Sequence, residues 1–263
     1  MIDLKELLIN SNYQKEIEEL INISNLSLKH WKTYWTGFNS TFVCEEILKK
    51  FENLNDFKFF VFGGYHSAQR SKIACFREDN IPEKNELIKY FPAKGIQMNG
   101  NFLFDNATQD DFRSLLMDNG LIEERIGDIW TTGDKGAQGI IDDSKIEFLN
   151  EKIFFLRDIK VKVKIVELDE LQIPVGRSKK LINTVEASTR LDAIASAGFR
   201  ISRTKILERI ETGMLKLNGK TVKKGTISLK VGDKLQLDNK GFIEILDLEI
   251  TKRERWKIKL LRK

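Results

Sequence analysis

Residues 189–213 read TRLDAIASAGFRISRTKILERIETG, and they carry the strongest structural signals in the C-terminal part of the chain. Thr189 and Asp192 have the spacing of a capping box, which predicts a short helix that Gly198 ends. Ser202 is a favourable N-cap for a second helix, from Arg203 to about Thr212. The stretch therefore predicts two short helices in succession.

The residues that follow predict a small sheet. Asn218-Gly219 is a strong signal for a two-residue hairpin, because both residue types tolerate positive φ. Val231-Gly232-Asp233 marks a turn into a strand at 235–237, and 242–250 and 256–261 look like further strands. Two short helices packed on a small twisted sheet are expected.

Charge is concentrated in the same part of the chain. From Gly176 to the end there are 22 Lys and Arg against 10 Asp and Glu, a net charge of +12. The remainder, Met1 to Val175, has a net charge of −7. A basic third on an acidic body indicates a local site for a polyanion.

The whole chain is expected to belong to the α+β class. Apolar residues at helical spacing predict an N-terminal helical segment, residues 1–56. Mixed strands and helices predict a ferredoxin-like α/β sandwich at 57–171, with Thr108 and Asp111 as a capping box and a short helix near 144–150. A stretch with Pro, Gly and a basic run at 172–183 reads as a linker, and the basic domain then occupies 184–263.

Composition excludes several classes of site. Two cysteines, Cys44 and Cys75, and two histidines, His30 and His66, cannot supply the roughly four ligands of a structural zinc site. A Cys44–Cys75 disulfide is disfavoured in a reducing compartment. The chain shows neither a signal peptide nor an apolar run long enough to span a bilayer, so a cytoplasmic location without an integral membrane segment is expected. No cofactor and no metal are expected.

At this point the sequence resembles a known family. Arg190-Leu-Asp192, Ile201-Ser-Arg-Thr-Lys205, Leu217-Asn-Gly219 and Val231-Gly-Asp233 are similar to the S-four RNA-binding domain, first known from a ribosomal small-subunit protein. Nearly the whole chain resembles the YlmH-type branch of S-four proteins. The nearest likeness is to its cyanobacterial and plastid members, the photosystem II S-four domain proteins. The motifs behind this likeness are Trp35-Thr-Gly-Phe38, Gly63-Gly-Tyr65, Gly100-Asn-Phe-Leu-Phe-Asp105, Gly127-Asp-Ile-Trp130, Gly136-Ala-Gln138 and Thr184-Val-Glu-Ala-Ser188.

The resemblance and the charge together predict a site for structured RNA. The free amides at the start of the second helix attract phosphate, and cations are expected to surround that start on one concave surface. A-form RNA is read by shape, phosphates and 2′-hydroxyls, which suits a basic module without a pair of aromatic side chains for stacking. The predicted RNA-binding residues are Arg190, Arg200, Ser202, Arg203, Thr204, Lys205, Arg209, Lys216, Asn218, Lys220, Lys223 and Lys224.

A catalytic role is not expected. S-four domains also occur in pseudouridine synthases, tyrosyl-tRNA synthetases and some RNA methyltransferases. A methyltransferase would need a glycine-rich cofactor loop, and neither Gly63-Gly64 nor residues 133–139 have the required spacing. Two histidines, both before residue 70, offer no credible nucleophile–base set.

Two non-enzymatic hypotheses remain open. In the first, the protein binds ribosomal RNA or tRNA, with the ribosome as its partner, and is a monomer. In the second, implied by the photosystem II branch, it is an assembly or maintenance factor that contacts photosystem II, peripheral to the thylakoid membrane, and acts mainly through protein contacts.

Overall fold

The chain folds into two compact units, Met1–Gly176 and Arg177–Lys263. The computed structural model describes residues 13–174, 180–237 and 240–262. Helices and antiparallel sheets occur in both units, so the predicted α+β class is confirmed. The first residues of the expected N-terminal helix and part of the expected linker, residues 175–179, lie outside the described residues.

The first unit begins with two helices that pack on a small sheet. The helices are α1 (Gln14–His30) and α2 (Thr41–Phe51). The strands are β1 (Tyr34–Trp35), β2 (Asn39–Ser40), β3 (Phe57–Phe62) and β4 (Arg70–Arg77). β4 pairs with β1 and β2 along one edge and with β3 along the other.

The apolar spacing of α1 explains this packing. It buries Ile17, Leu20 and Ile21 on one face, in a cluster that also holds Phe57 of β3 and Cys75 of β4. The predicted division at residue 56 therefore differs from the structure. Helices and strands on both sides of residue 56 share this core, and the first segment is not purely helical.

A second, larger sheet follows in the same unit. Its strands are β5 (Ala93–Asn99), β6 (Ile126–Thr131), β7 (Gly136–Asp142), β8 (Ile153–Leu156) and β9 (Ile159–Val166), in the order β6-β7-β5-β9-β8. Helix α3 (Lys84–Lys89) precedes the sheet, and α4 (Gln109–Asp118) packs on it. Short 3-10 segments lie at Glu123–Arg125, Gly133–Lys135, Glu147–Leu149 and Leu168–Glu170.

Two predictions for this sheet have different outcomes. The capping box at the start of α4 is confirmed, because Thr108 and Asp111 exchange side-chain and backbone hydrogen bonds. The ferredoxin-like arrangement differs from the structure. Five antiparallel strands carry one helix of ten residues between β5 and β6, whereas a ferredoxin-like sandwich follows a βαββαβ order. The helix expected near 144–150 is only the 3-10 segment Glu147–Leu149.

A buried carboxylate joins the two sheets of this unit. Asp128, 8 % exposed, accepts hydrogen bonds from the Tyr65 hydroxyl at 2.6 Å and from the backbone amides of Gln69 at 2.7 Å and Arg70 at 3.0 Å. Burial raises the pKa of Asp128, and these three donors oppose that shift. Desolvation of this carboxylate is therefore compensated by donors from the first sheet region.

The contact between these two sheets, here called the seam, holds residues of three of the motifs quoted above. Phe38 and Trp130 belong to one buried cluster, against which Trp35 and Tyr65 pack. Gly127 leaves room for this contact, since a Cβ there would lie 3.0 Å from the Phe38 ring and from the Ile140 carbonyl. These motifs are therefore needed to hold the two sheets together.

A buried ion pair crosses the seam as well. Lys72 of β4 has a side chain only 2 % exposed and pairs with Asp142 at the end of β7. Its ammonium also donates to the Pro92 carbonyl at 3.1 Å. Burial lowers the pKa of Lys72, and the pair with Asp142 opposes that shift.

The second unit has two helices on one six-stranded sheet. The helices are α5 (Leu191–Phe199) and α6 (Arg203–Glu211). The strands are β10 (Lys180–Glu186), β11 (Leu215–Leu217), β12 (Lys220–Thr221), β13 (Lys234–Leu237), β14 (Gly241–Ile250) and β15 (Trp256–Arg262), in the order β10-β15-β14-β13-β11-β12. The core between them includes Leu191, Ile206, Leu235 and Ile243.

Local predictions for this unit are largely confirmed. Ser202 caps α6, and Asn218-Gly219 forms the two-residue turn between β11 and β12, with both φ angles positive. The Thr189 cap is wrong, because Arg190 occupies the N-cap position and no side chain caps α5. Strand β10 begins at Lys180, so the last residues of the expected 172–183 linker are strand. No helix among the described residues is long and apolar enough to cross a membrane.

The Asp142→Asn substitution tests the buried ion pair. It leaves the Lys72 ammonium buried without its charged partner and also removes the ion pair between Asp142 and Arg125, so we expect the free energy of unfolding to fall by about 3–5 kcal/mol. The control is Glu167→Gln, which removes an exposed pair with Lys94 and should change stability by about 0.5 kcal/mol or less. Urea unfolding of both variants measures the difference; equal losses would contradict a special role for the buried pair.

The stability of the Asp142→Asn variant should depend on pH in a defined direction. Without Asp142, the folded state binds the Lys72 proton less tightly than the unfolded chain, whose lysines have pKa values of about 10.4. Unfolding then takes up a proton between the folded and the unfolded pKa, and stability rises with pH in that window. The deficit of the Asp142→Asn variant should therefore shrink as the pH is raised from neutral toward 10.

Candidate nucleic-acid interface

The candidate site is built around the start of α6. The Ser202 hydroxyl accepts a hydrogen bond from the Lys205 amide at 3.4 Å, which satisfies one of the free amides of the first helical turn. The connection from α5 is tight: Arg200 adopts a left-handed conformation with φ 57°, and the Ser196 hydroxyl donates to the Ile201 carbonyl at 2.6 Å. This turn fixes the direction in which α6 begins, and therefore where its remaining free amides point.

The two flanks of α6 present different cations. Ile206 and Ile210 are buried against the sheet, so the residues beside them flank the core contact. At about 100° per residue, Lys205 and Arg209 lie within about 40° of each other on one flank, while Arg203 lies about 160° from Lys205 on the other. Lys205 and Arg209 therefore share one flank, whereas Arg203 belongs to the opposite flank.

The Lys205 flank forms one side of an open groove of about 620 Å³. Four cations and one carboxylate are among its lining residues, which are Arg200, Ile201, Ser202, Lys205, Glu208, Arg209, Thr212, Met214 and Lys240. The Arg209 guanidinium rests against the Met214 sulfur. Lys240 was not predicted, because it precedes β14 and comes near α6 only through the folding of the sheet. No aromatic side chain lines the groove among the described residues.

The Arg203 flank lies beside the segment that carries Lys223 and Lys224. A Cβ at Gly225 would lie 2.8 Å from the Leu207 side chain and 3.0 Å from that of Asp192. The chain at Gly225 therefore passes directly along this flank. Lys223 and Lys224, both exposed, immediately precede it, so the structure brings these two predicted lysines to the α6 flank that carries Arg203.

Arg190 is held by a neighbouring carboxylate. Its Nε and Nη2 atoms donate to the two oxygens of Asp192 at 3.1 and 3.0 Å. Burial opposes ionisation of Asp192, but hydrogen bonds from Arg190, together with the nearby charge of Arg203, lower its pKa. Asp192 therefore fixes Arg190 in place beside the start of α5.

Three predicted residues lie elsewhere. Lys216 is paired with Thr221 and Gln236 in the sheet and follows the buried Leu215. Adjacent strand residues point to opposite faces, so Lys216 faces away from the helices. The Asn218 side chain bonds to Asp233 and to the Lys234 amide, both at 2.9 Å, and so fixes the β11–β12 turn. Lys220, on the same turn, is exposed at the edge of the sheet.

Other cations of the site, unlike Arg190, are not held by a carboxylate. Within residues 13–174, 180–237 and 240–262, no carboxylate forms a salt bridge with Arg200, Arg203, Lys205, Lys223 or Lys224. Unpartnered exposed cations around a helix start are the groups that release counterions when they neutralise phosphates. The arrangement can therefore bind a polyanion on both flanks of α6.

Metal ligands and thiols are the remaining reactive groups to consider in the described part of the chain. It contains no cluster of three or more His, Cys, Asp or Glu side chains that could hold a metal ion. Cys44 and Cys75 are free and buried, and burial raises the thiol pKa values to about 12 and about 11. Thiols with such pKa values are poor nucleophiles near neutral pH.

Comparison with known proteins agrees with the motifs. The family model described as YlmH, N-terminal, matches residues 12–80. A relative from Bacillus subtilis (strain 168), "Ribosome-associated protein quality control protein P2", is 27% identical over 200 residues, which cover 74% of this chain and 74% of the relative.

One solved structure is also similar. It is "Cell division protein ylmH from Streptococcus pneumoniae", with 14% identity and a TM-score of 0.47, covering 62% of this chain and 96% of that one. The family match and the Bacillus relative confirm the predicted resemblance, whereas the cyanobacterial and plastid likeness remains a prediction. Residues 12–80 match the YlmH N-terminal family model, and the chain is similar to YlmH-type proteins.

Proposed function

We propose that this protein binds structured RNA, either ribosomal RNA or tRNA, on the ribosome, and does so without catalysis. One observation carries the proposal: exposed cations without carboxylate partners border both flanks of the capped start of α6. Phosphate contacts position a protein on nucleic acid and contribute a large share of the binding free energy.

The shape of the site favours a folded RNA over a single strand. The groove beside Lys205 has no aromatic lining residue among those described, and binding of single strands depends on aromatic stacking. Cations on two flanks of a helix can contact the phosphates of an RNA backbone that crosses the helix start. Double-stranded RNA offers such a backbone, since proteins recognise it by shape and phosphate contacts.

The ribosome is proposed as the partner from the Bacillus relative, whose name describes it as ribosome-associated. A ribosomal partner implies a cytoplasmic location. The proposed role is one of binding, and the two buried thiols, whose pKa values burial raises, are poor nucleophiles near neutral pH. No observation favours the photosystem II alternative, so thylakoid membranes serve here only as a comparison fraction.

The first prediction concerns the helix start. Arg203→Ala with Lys205→Ala should weaken binding of structured RNA whatever its sequence, because both cations are phosphate ligands in this proposal. The slope of log affinity against log salt should become less negative by the contribution of about two phosphate contacts. Anisotropy titrations of a labelled RNA hairpin at several salt concentrations measure both effects.

The matched control for this pair is Lys252→Ala with Arg253→Ala. It removes the same two residue types from the exposed turn between β14 and β15 of the same unit. An equal loss of affinity in the control would show that binding reflects diffuse charge, and the α6 site would be wrong. Thermal melts should match the wild-type protein for both double variants, because all four side chains are exposed.

The second prediction concerns the partner. In a sucrose-gradient analysis of cell extract, the protein should sediment with ribosomal subunits at low salt and leave them as salt is raised. The Arg203/Lys205 double variant should leave at lower salt. Recovery with thylakoid membranes rather than ribosomes, unchanged by this double variant, would contradict a ribosomal role and support the alternative.

The third prediction concerns catalysis. Purified protein incubated with ribosomal RNA and tRNA, plus S-adenosylmethionine or ATP, should leave the RNA mass spectrum unchanged. Heat-denatured protein provides the baseline. A new methyl group or an isomerised base that appears only with folded protein would overturn the non-catalytic role.

A further inference from the structure

The six-stranded sheet of the second unit has two edge strands of different character. Strand β12, at one edge, is two residues long and carries Lys220. Strand β10, at the other edge, is seven residues long, and its pairing with β15 is continuous from Lys180 to Glu186. Proteins protect edge strands by shortness, bulges, Pro or charged side chains. β12 has such protection, whereas β10 is long and contains neither a bulge nor a Pro.

The outer edge of β10 is available for backbone hydrogen bonds. Its five central residues, Leu181-Ile-Asn-Thr-Val185, are uncharged, and three of them are β-branched types that favour strands. Among the residues that the structure describes, no strand pairs with this edge. Arg255 donates to the Val185 carbonyl at 3.3 Å. Because this bond is long and exposed to water, a competing strand can displace it.

Leu181 and Val185 are exposed apolar side chains on one face of β10. They are 60% and 46% exposed, and alternate residues of a strand share a face. Ile182, on the opposite face, packs against the core beneath α5 and α6. The helices therefore cover one face of the sheet, and Leu181 and Val185 lie on the other.

The sequence of β10 is complementary to a second copy of itself. In an antiparallel pair of two copies centred on Asn183, Leu181 lies opposite Val185 of the second copy. In the same register, Lys180 lies opposite Glu186 of the second copy. Apolar pairs and pairs of opposite charge that face each other across two strands stabilise a sheet. A shift of the register in either direction would separate both kinds of pair.

We propose that the protein forms a two-fold symmetric dimer in which the β10 strands of two copies pair antiparallel about Asn183. The same surface is used on both chains, as in other two-fold interfaces. The two-fold axis is perpendicular to the sheet, so the helices of both copies lie on the same side. The two helix-start sites then face in the same direction. The interface is short and its association is weak, and this dimer replaces the monomer expected from the sequence.

Sedimentation equilibrium of the full-length chain tests this self-association. The sample is treated with nuclease, because RNA could bridge two copies. The average mass should rise from that of one chain toward twice that value as the concentration increases over roughly 1 to 100 µM, a range suited to a small interface. Leu181→Ala with Val185→Ala should raise the dissociation constant by about 10-fold or more, because each loss of apolar contact occurs twice in a symmetric dimer.

Charge reversal tests the register. Lys180→Glu alone and Glu186→Lys alone each place like charges opposite one another at two positions, so each should weaken the dimer. An equimolar mixture of these two single variants should form a heterodimer, because each of the two cross-strand pairs then joins opposite charges. A chain with both substitutions should dimerise like the wild-type chain for the same reason.

The matched controls are Lys220→Glu, on the edge strand β12, and Glu211→Lys, at the end of α6. Both residues are exposed, and each control changes the net charge as much as the corresponding variant of β10. Neither control should alter the dissociation constant. Thermal melts establish that the exposed substitutions leave the fold intact.

Four results would overturn the proposal. They are a wild-type protein with the mass of one chain over the whole concentration range, an unchanged dissociation constant after loss of Leu181 and Val185, no heterodimer in the mixture of charge variants, or equal weakening by the controls. Self-association that persists in all β10 variants would place the contact between copies on another surface.

Discussion

The need to satisfy one buried carboxylate constrains the whole first unit. Asp128 is almost fully buried, and an isolated carboxylate there would carry a large desolvation cost. The compensating donors are Tyr65 and the Gln69 amide, in the β3–β4 connection, and the amide of Arg70, the first residue of β4. The two sheets must therefore pack in one relative position for these hydrogen bonds to form. The Lys72–Asp142 pair imposes a second condition of the same kind at the same seam.

This constraint gives the motifs of the first unit a structural meaning. Gly63-Gly-Tyr65 and Gly127-Asp-Ile-Trp130 are far apart in sequence, yet they supply the two sides of one hydrogen-bond network. Buried polar networks have a large effect on stability because each unsatisfied member costs free energy. The seam therefore explains a large part of the family resemblance without any ligand, and functional contacts are better sought at exposed positions.

The second unit follows a different physical rule. Its apolar side chains pack between two short helices and one face of a sheet, and its cations remain at the surface. Only Arg190 among the predicted arginines is held by a neighbouring carboxylate, while Arg203 and Lys205 stay available on opposite flanks of α6. A capped helix start surrounded by exposed cations can bind phosphates with little rearrangement of the backbone.

The sequence by itself determined the local features of this protein. Ser202, the Asn218-Gly219 turn and the Thr108–Asp111 box were predictable because each depends on backbone conformation and hydrogen bonds within a few residues. The remaining features depend on the tertiary structure. It places Arg203 and Lys205 on opposite flanks of α6 and points Lys216 away from the helices. It also brings Lys240 to the groove and packs β3 and β4 against the N-terminal helices. Those features depend on strand register and on which faces are buried, and both are set by contacts between residues distant in the chain.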